Sequence, residues 1–213
     1  YWWLERPDGV WQAPRAAGGP LDLTQDIVSL SLSLSLSPSP SLIITLDNSK
    51  GTYASPGSGA LASLRFRSEI VLKLGYKTTA GNESSEAGKY WVDGWEWTHG
   101  PGLSTFRLFC LDGAGLSDKW SARFQMRWNK DAVEPHTVAE ILFNLTCRWG
   151  IRFWNNPHAP NSTAIDAFKP DFTIQPNDSG LATIRRLLSF VPDAIVYYGS
   201  VAYTKALLAN EAS

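Results

Sequence analysis

Residues 27–53 read IVSLSLSLSLSPSPSLIITLDNSKGTY, a Leu/Ser alternation followed by an apolar run that ends in turn formers. Side chains of an extended chain alternate between its two faces, so Leu30, Leu32, Leu34 and Leu36 fall on one side and the serines between them on the other. The pattern predicts a strand over 27–36 with one dry face. Pro38 and Pro40 stop it, a second strand follows over 41–47, and Asp47-Asn48-Ser49-Lys50-Gly51 supplies residues that tolerate positive φ.

The same character continues to about Trp128, with apolar alternations separated every 8 to 12 residues by Gly, Asn, Asp or Ser clusters. Further strands are expected at 62–75, 88–98, 103–111 and 119–128. Leu64 and Phe66, then Ile70, Leu72 and Leu74, alternate with Arg65, Arg67, Val71 and Lys73, and the phase slips near Ser68. Such a slip marks a bulge or bend, the device by which a long strand curves into a closed sheet. A β-barrel is therefore expected over 25–129, preceded by an extended segment over 1–24 that has neither a signal-like apolar core nor helical periodicity.

From Thr137 the apolar period changes from two to 3.6. Thr137-Val138-Ala139-Glu140 is a capping box, Val138, Ile141, Leu142, Leu145 and Trp149 form one stripe, and Gly150 stands where a left-handed residue ends a helix. A short strand is expected at 172–174 and a second helix at 179–190, with Leu181, Ile184, Leu187, Leu188 and Val191 as its stripe and Pro192 beyond it. A hairpin over 194–198 and 201–205, turning at Gly199-Ser200, completes a small helix-strand-helix-hairpin domain over 130–213. The fold class read from the sequence is mainly β with an α+β part.

At 213 residues with a formal charge of −1, the chain lacks the basic footprint of a protein that grips a phosphate backbone, so specific nucleic-acid binding is not expected. No apolar run approaches the roughly 18 residues of a membrane helix, which gives no reason to expect membrane insertion. Cys110 and Cys147 sit in apolar contexts and read as buried free thiols. Asn82, Asn144, Asn161 and Asn177 each open an Asn-x-Ser/Thr triplet, but Asn144 falls inside the first expected helix, against a glycan reading.

The densest cluster of chemical groups is Tyr90-Trp91-Val92-Asp93-Gly94-Trp95-Glu96-Trp97-Thr98-His99. A glycosidase needs two carboxylates facing one bond, whereas Asp93 and Glu96 are three apart in a strand and point to opposite faces. Trp91, Trp95 and Trp97 share parity, so they read as core filling, as a subunit interface, or as an aromatic platform for carbohydrate. His99, His136 and His158 are widely separated and lack the local spacing of a metal site. No nucleophile elbow, Walker loop or dinucleotide glycine pattern is present, and Asp112, Asp118 and Asp131 read as turn residues. No catalytic residue, cofactor or metal is expected, and the runner-up function is a carbohydrate-binding module built on the three tryptophans.

Taken together, Leu46-Asp47-Asn48 with Gly51-Thr52-Tyr53, the strand end Leu74-Gly75-Tyr76, and Tyr90-Trp91-Val92-Asp93-Gly94 resemble the first part of phage tail hub proteins. Val138-Ala139-Glu140-Ile141-Leu142 with Gly150-Ile151, Pro170-Asp171-Phe172 and Thr183-Ile184-Arg185-Arg186-Leu187-Leu188 are similar to the region that follows the first barrel in these baseplate hubs. The resemblance implies a barrel like a tail-tube subunit, self-association as a trimer, contact with tail-tube and spike or tip proteins, and a place in the virion tail assembled in a bacterial cytoplasm. Hubs of this family carry two barrels per chain, and only one is evident in this sequence.

Overall fold

The structure is a computed structural model, and it describes residues 4–5, 11–12, 21–33, 42–55, 59–62, 64–79, 81–130, 132–154, 162–198 and 201–207. The chain divides into two compact units, one over 14–112 and the other over 113–213 together with 1–13.

Within 14–112 lies one five-stranded antiparallel sheet. Its strands are β3 (Ile27–Leu32), β4 (Leu42–Asp47), β5 (Glu69–Thr78), β6 (Gly81–Gly100) and β7 (Leu103–Leu111), in the order β3-β4-β7-β6-β5. One face carries the core. Leu42, Ile44 and Leu46 of β4 meet Cys110, Leu108 and Phe106 of β7, while Leu30 and Leu32 of β3 pack against this cluster on the side that the Leu/Ser alternation assigns them. Leu34 and Leu36 lie outside the described residues. Fully burying each such side chain contributes roughly 1.5–3 kcal/mol.

Among the described residues the sheet is open, with β3 and β5 at its edges, and the expected closed barrel is not completed by hydrogen bonds between those two strands. The expected bend near Ser68 is a turn instead of a bulge. Arg67 takes a left-handed conformation at φ 70°, the strand starts only at Glu69, and the bulge sits further on, where Leu72 pairs with Gly88 and Lys73 with Glu86. Strand β6 is longer than expected: it runs seven residues ahead of position 88, through the polar stretch Gly81–Ala87.

The second unit begins with a correction. The expected strand at 119–128 is confined to the short β8 (Met126–Trp128), which pairs with β10 (Phe172–Ile174), and an unexpected helix, α1 (Gly113–Lys119), stands ahead of it. Positions 113–129 accordingly pack with the C-terminal unit, and the division falls after Asp112. Glycine at both 113 and 115 hides the helix from a propensity reading. Packing requires it there, because a Cβ on Gly113 would lie 2.6 Å from the Tyr197 ring.

The remaining elements follow the sequence closely. Helix α2 (Val138–Thr146) carries the complete Thr137/Glu140 capping box, continues as a 3-10 turn to Trp149, and ends at Gly150 with φ 83°. Strand β9 (Arg152–Phe153) and the short helix α3 (Thr163–Ala167) precede β10, then α4 (Gly180–Leu188) runs from its Ser179 cap. The hairpin β11 (Asp193–Tyr198) and β12 (Val201–Ala206) closes the unit, with β9 parallel to β12. The expected turn at Gly199-Ser200 lies outside the described residues. Two-residue strands β1 (Leu4–Glu5) and β2 (Trp11–Gln12) pair near the start of the chain.

Candidate functional site

The turn after β4 is the best-built polar feature of the sheet unit. Asn48 is buried, its side-chain oxygen accepts the Tyr53 N–H at 2.7 Å, and Gly51, at φ 67°, donates its N–H to the Asn48 carbonyl. That turn delivers the Tyr53 ring to the core. Its hydroxyl donates to the Asp26 carboxylate, and burial, then that bond, then the Asp26 charge raise its pKa well above the ordinary tyrosine value.

Trp97 closes the same cluster. Its indole N–H donates to the Tyr53 carbonyl at 2.6 Å, its ring lies 5.3 Å from Phe106, and Phe106 in turn lies 5.9 Å from Tyr53. Trp95, one step along the same face, is covered by Phe66 at 4.7 Å. Both rings belong to the packed face of the sheet.

Trp91 does not join them. Asp93 is an extra residue in β6: Val92 pairs with Cys110 and Gly94 with Phe109, so the bulge reverses parity between 92 and 94. Val92 shares the core face with Trp95 and Trp97, while Trp91, opposite Leu111, points to the other side, where it is 8% exposed. The structure therefore divides the three tryptophans that an unbroken strand would align, and a single three-ring carbohydrate platform is not assembled. Sequence parity fails here because a one-residue bulge leaves no mark in the spacing.

The carboxylates of this segment also go separate ways. Glu96 accepts from Arg107 at 2.6 Å on the face opposite the core, with the Arg107 guanidinium 5.4 Å from the centre of the Phe109 ring. Asp93, in the bulge, acts electrostatically on Arg67 and Cys110. His99 shares a hydrogen bond with Ser104 at 3.1 Å, and His136 lies 3.7 Å from Glu140. His158 lies outside the described residues. Among the described residues no group of three or more His, Cys, Asp or Glu side chains is placed to hold a metal ion.

In the C-terminal unit a shallow groove of about 640 Å³ is lined by His136, Glu140, Phe143, Asn144, Trp154 and Asp166, among others. Its acid Glu140 is committed to the helix: it accepts the Thr137 N–H at 2.7 Å, and that bond holds its carboxyl below the usual range. Both cysteines are free and buried. Burial, followed by the Asp93 charge, pushes the Cys110 thiol up to about 12, and burial raises Cys147 against the opposing Arg152 charge.

The strands expected at 62–75 and 88–98 stop short of one surface feature, the paired extension of β5 and β6 past the end of β7, which adds 76–78 and Gly81–Ala87. Every residue there whose burial is described is exposed except Thr78. A strand with two wet faces has no alternation to betray it.

The chain matches no protein-family model and no curated protein. Among solved structures it is similar to the crystal structure of the prophage MuSo2 43 kDa tail protein from Shewanella oneidensis, at 13% identity and a TM-score of 0.41. The similarity covers 77% of this chain and 44% of that one, so the chain spans less than half the length of that protein.

Proposed function

We propose that this chain is a structural component of a phage or prophage-derived tail, a hub or baseplate protein that joins the tail tube to the tip or spike. The observation that supports it most is the order of parts along the chain. A five-stranded antiparallel sheet unit is followed by helix α2, strand β10, helix α4 and the β11/β12 hairpin, the order that the hub resemblance implies. The residues carrying that resemblance hold structural positions. Asn48, Gly51 and Tyr53 form the turn that anchors Trp97, and Ile141, Leu142, Ile184 and Leu187 are fully buried.

In this reading the protein makes and breaks no bond and needs no cofactor; its work is mechanical. Copies associate with one another, as a trimer by family likeness, and present surfaces to tube and spike proteins in the tail of the virion. An open sheet suits that role, since edges left unpaired in one copy are covered in an assembly. The trapping of Trp95 and Trp97 in the core face accounts for part of the tryptophan content without any ligand.

The test is genetic. Removing the reading frame from the phage or prophage that encodes it is expected to leave heads and tail parts without finished tails. Complete, infectious tails assembled without the chain would overturn the proposal.

A further inference from the structure

The arm formed by 73–78 of β5 and 81–87 of β6 has two free backbone edges. β5 is the last strand of the sheet, and β7 pairs with β6 only over Trp91–Gly100, so among the described residues each arm strand has the other as its sole partner. At about 3.4 Å per residue the arm is roughly 20 Å long. Leu74 and Tyr76 share one of its faces and are 47% and 84% exposed.

The two edges differ in charge. The β5 strand carries Lys73, with Lys77 further along it in the sequence, and the β6 strand carries Glu86 on the face of Lys73 and Glu83 on the other face, opposite Tyr76. Neither Lys73 nor Glu86 forms an ion pair among the described residues. Pairing two β5 edges would set lysines against lysines, and pairing two β6 edges would set glutamates against glutamates, each destabilising across a ladder. Only β5 against β6 brings opposite charges together. That contact is heterologous, head to tail, and repeats from copy to copy, giving a ring where its rotation closes.

We infer that the arm is the self-association element of this protein, and that its occupant is a second copy: the lysine-bearing β5 edge of one arm pairs with the glutamate-bearing β6 edge of the next. The inference rests on the self-association contained in the proposed function and adds which edges meet and in which sense.

Charge exchange tests it on the full chain by sedimentation in low salt at tens of micromolar. The unaltered chain is expected to associate. The double variant Lys73→Glu/Lys77→Glu has two acidic edges and the double variant Glu83→Lys/Glu86→Lys two basic ones, so each alone is expected to associate at least tenfold more weakly. Mixing them one to one is expected to restore association, since every acidic edge then finds a basic one. Each variant also sets like charges across its own hairpin, where Lys73 faces Glu86. Mixing cannot repair a fault inside one hairpin, so rescue separates the interface from a folding defect. Unaltered association in both variants, or weakened association with no rescue, would overturn the arm while leaving self-association standing. A strictly monomeric unaltered chain would overturn both.

Discussion

The indole N–H of Trp97 donates to the main-chain carbonyl of Tyr53 at 2.6 Å, bonding strand β6 to a turn 44 residues earlier in the chain. The bond joins two features that the sequence shows separately, the Asn-x-x-Gly-x-Tyr turn and the tryptophan-rich strand. It also gives Trp97 a structural role in holding that turn against the sheet.

Trp97→Phe keeps a ring against Phe106 but removes the donor and leaves the Tyr53 carbonyl without it, which is expected to cost about 1–3 kcal/mol. Trp97→Ala also loses the packing and is expected to cost about 3–5 kcal/mol. Urea midpoints at constant slope read both values; an unchanged midpoint in Trp97→Phe would mean that the hydrogen bond contributes nothing.

Gly75 permits a close backbone approach between the two strands of the arm. A Cβ there would meet the Glu83 carbonyl oxygen and lie 2.6 Å from the Ser84 Cα, both of them backbone and unable to yield. Gly75→Ala is therefore expected to open the arm locally, raising amide exchange over 73–87 about tenfold, the equivalent of about 1.4 kcal/mol, while the β4 and β7 amides keep their protection. Unchanged exchange in the arm would show that the ribbon is not built as described.

Acid should loosen the C-terminal unit at its caps. The Thr137 N–H lowers the Glu140 pKa, and the Gln175 N–H, aided by Arg186, lowers that of Asp178. A folded-state pKa below the unfolded one gives stability that is complete above the unfolded value and lost as pH falls through the folded value. Stability is thus expected to be flat from pH 7 to about 5 and to decline below the ordinary carboxylate range near 4. Glu140→Gln with Asp178→Asn should flatten that decline, measured as unfolding midpoint against pH; an unchanged profile would place the acid sensitivity elsewhere.

Thiol chemistry gives a further check on the core. Cys110 is inaccessible and its thiol is pushed up to about 12, and Cys147 is buried and raised as well. A disulfide reagent at pH 8 is expected to label neither cysteine in the native chain and both in urea. Rapid native labelling of Cys110 would contradict the packing of β4 against β7.

The parts legible in the sequence are those where one residue pattern has one physical meaning. The Thr137/Glu140 box, the stripe of α2, Gly150 and the two strands of the last hairpin all stand where periodicity and capping place them. The parts that were not legible depend on tertiary choices. Periodicity gives no helix over 113–119, yet α1 forms there, with glycine at 113 because Tyr197 and Ile151 pack where a Cβ would stand. Asp93 slips the register of β6 and separates Trp91 from Trp95 and Trp97, a change of face that spacing alone cannot register. The β6 side of the arm, Gly81–Ala87, carries no apolar alternation, because no core lies on either side of it. The open sheet follows from the same limit, since strand patterns show which face is dry and say nothing of whether the last edge meets the first.

The central claim, that this is a structural part of a tail, is tested most directly by locating the chain in purified particles. Immunogold labelling of an epitope-tagged chain is expected to mark each tail at one end, where the tube meets the tip. Particles with complete tails and no label at that junction, with the tagged chain recovered only in the soluble host fraction, would contradict it.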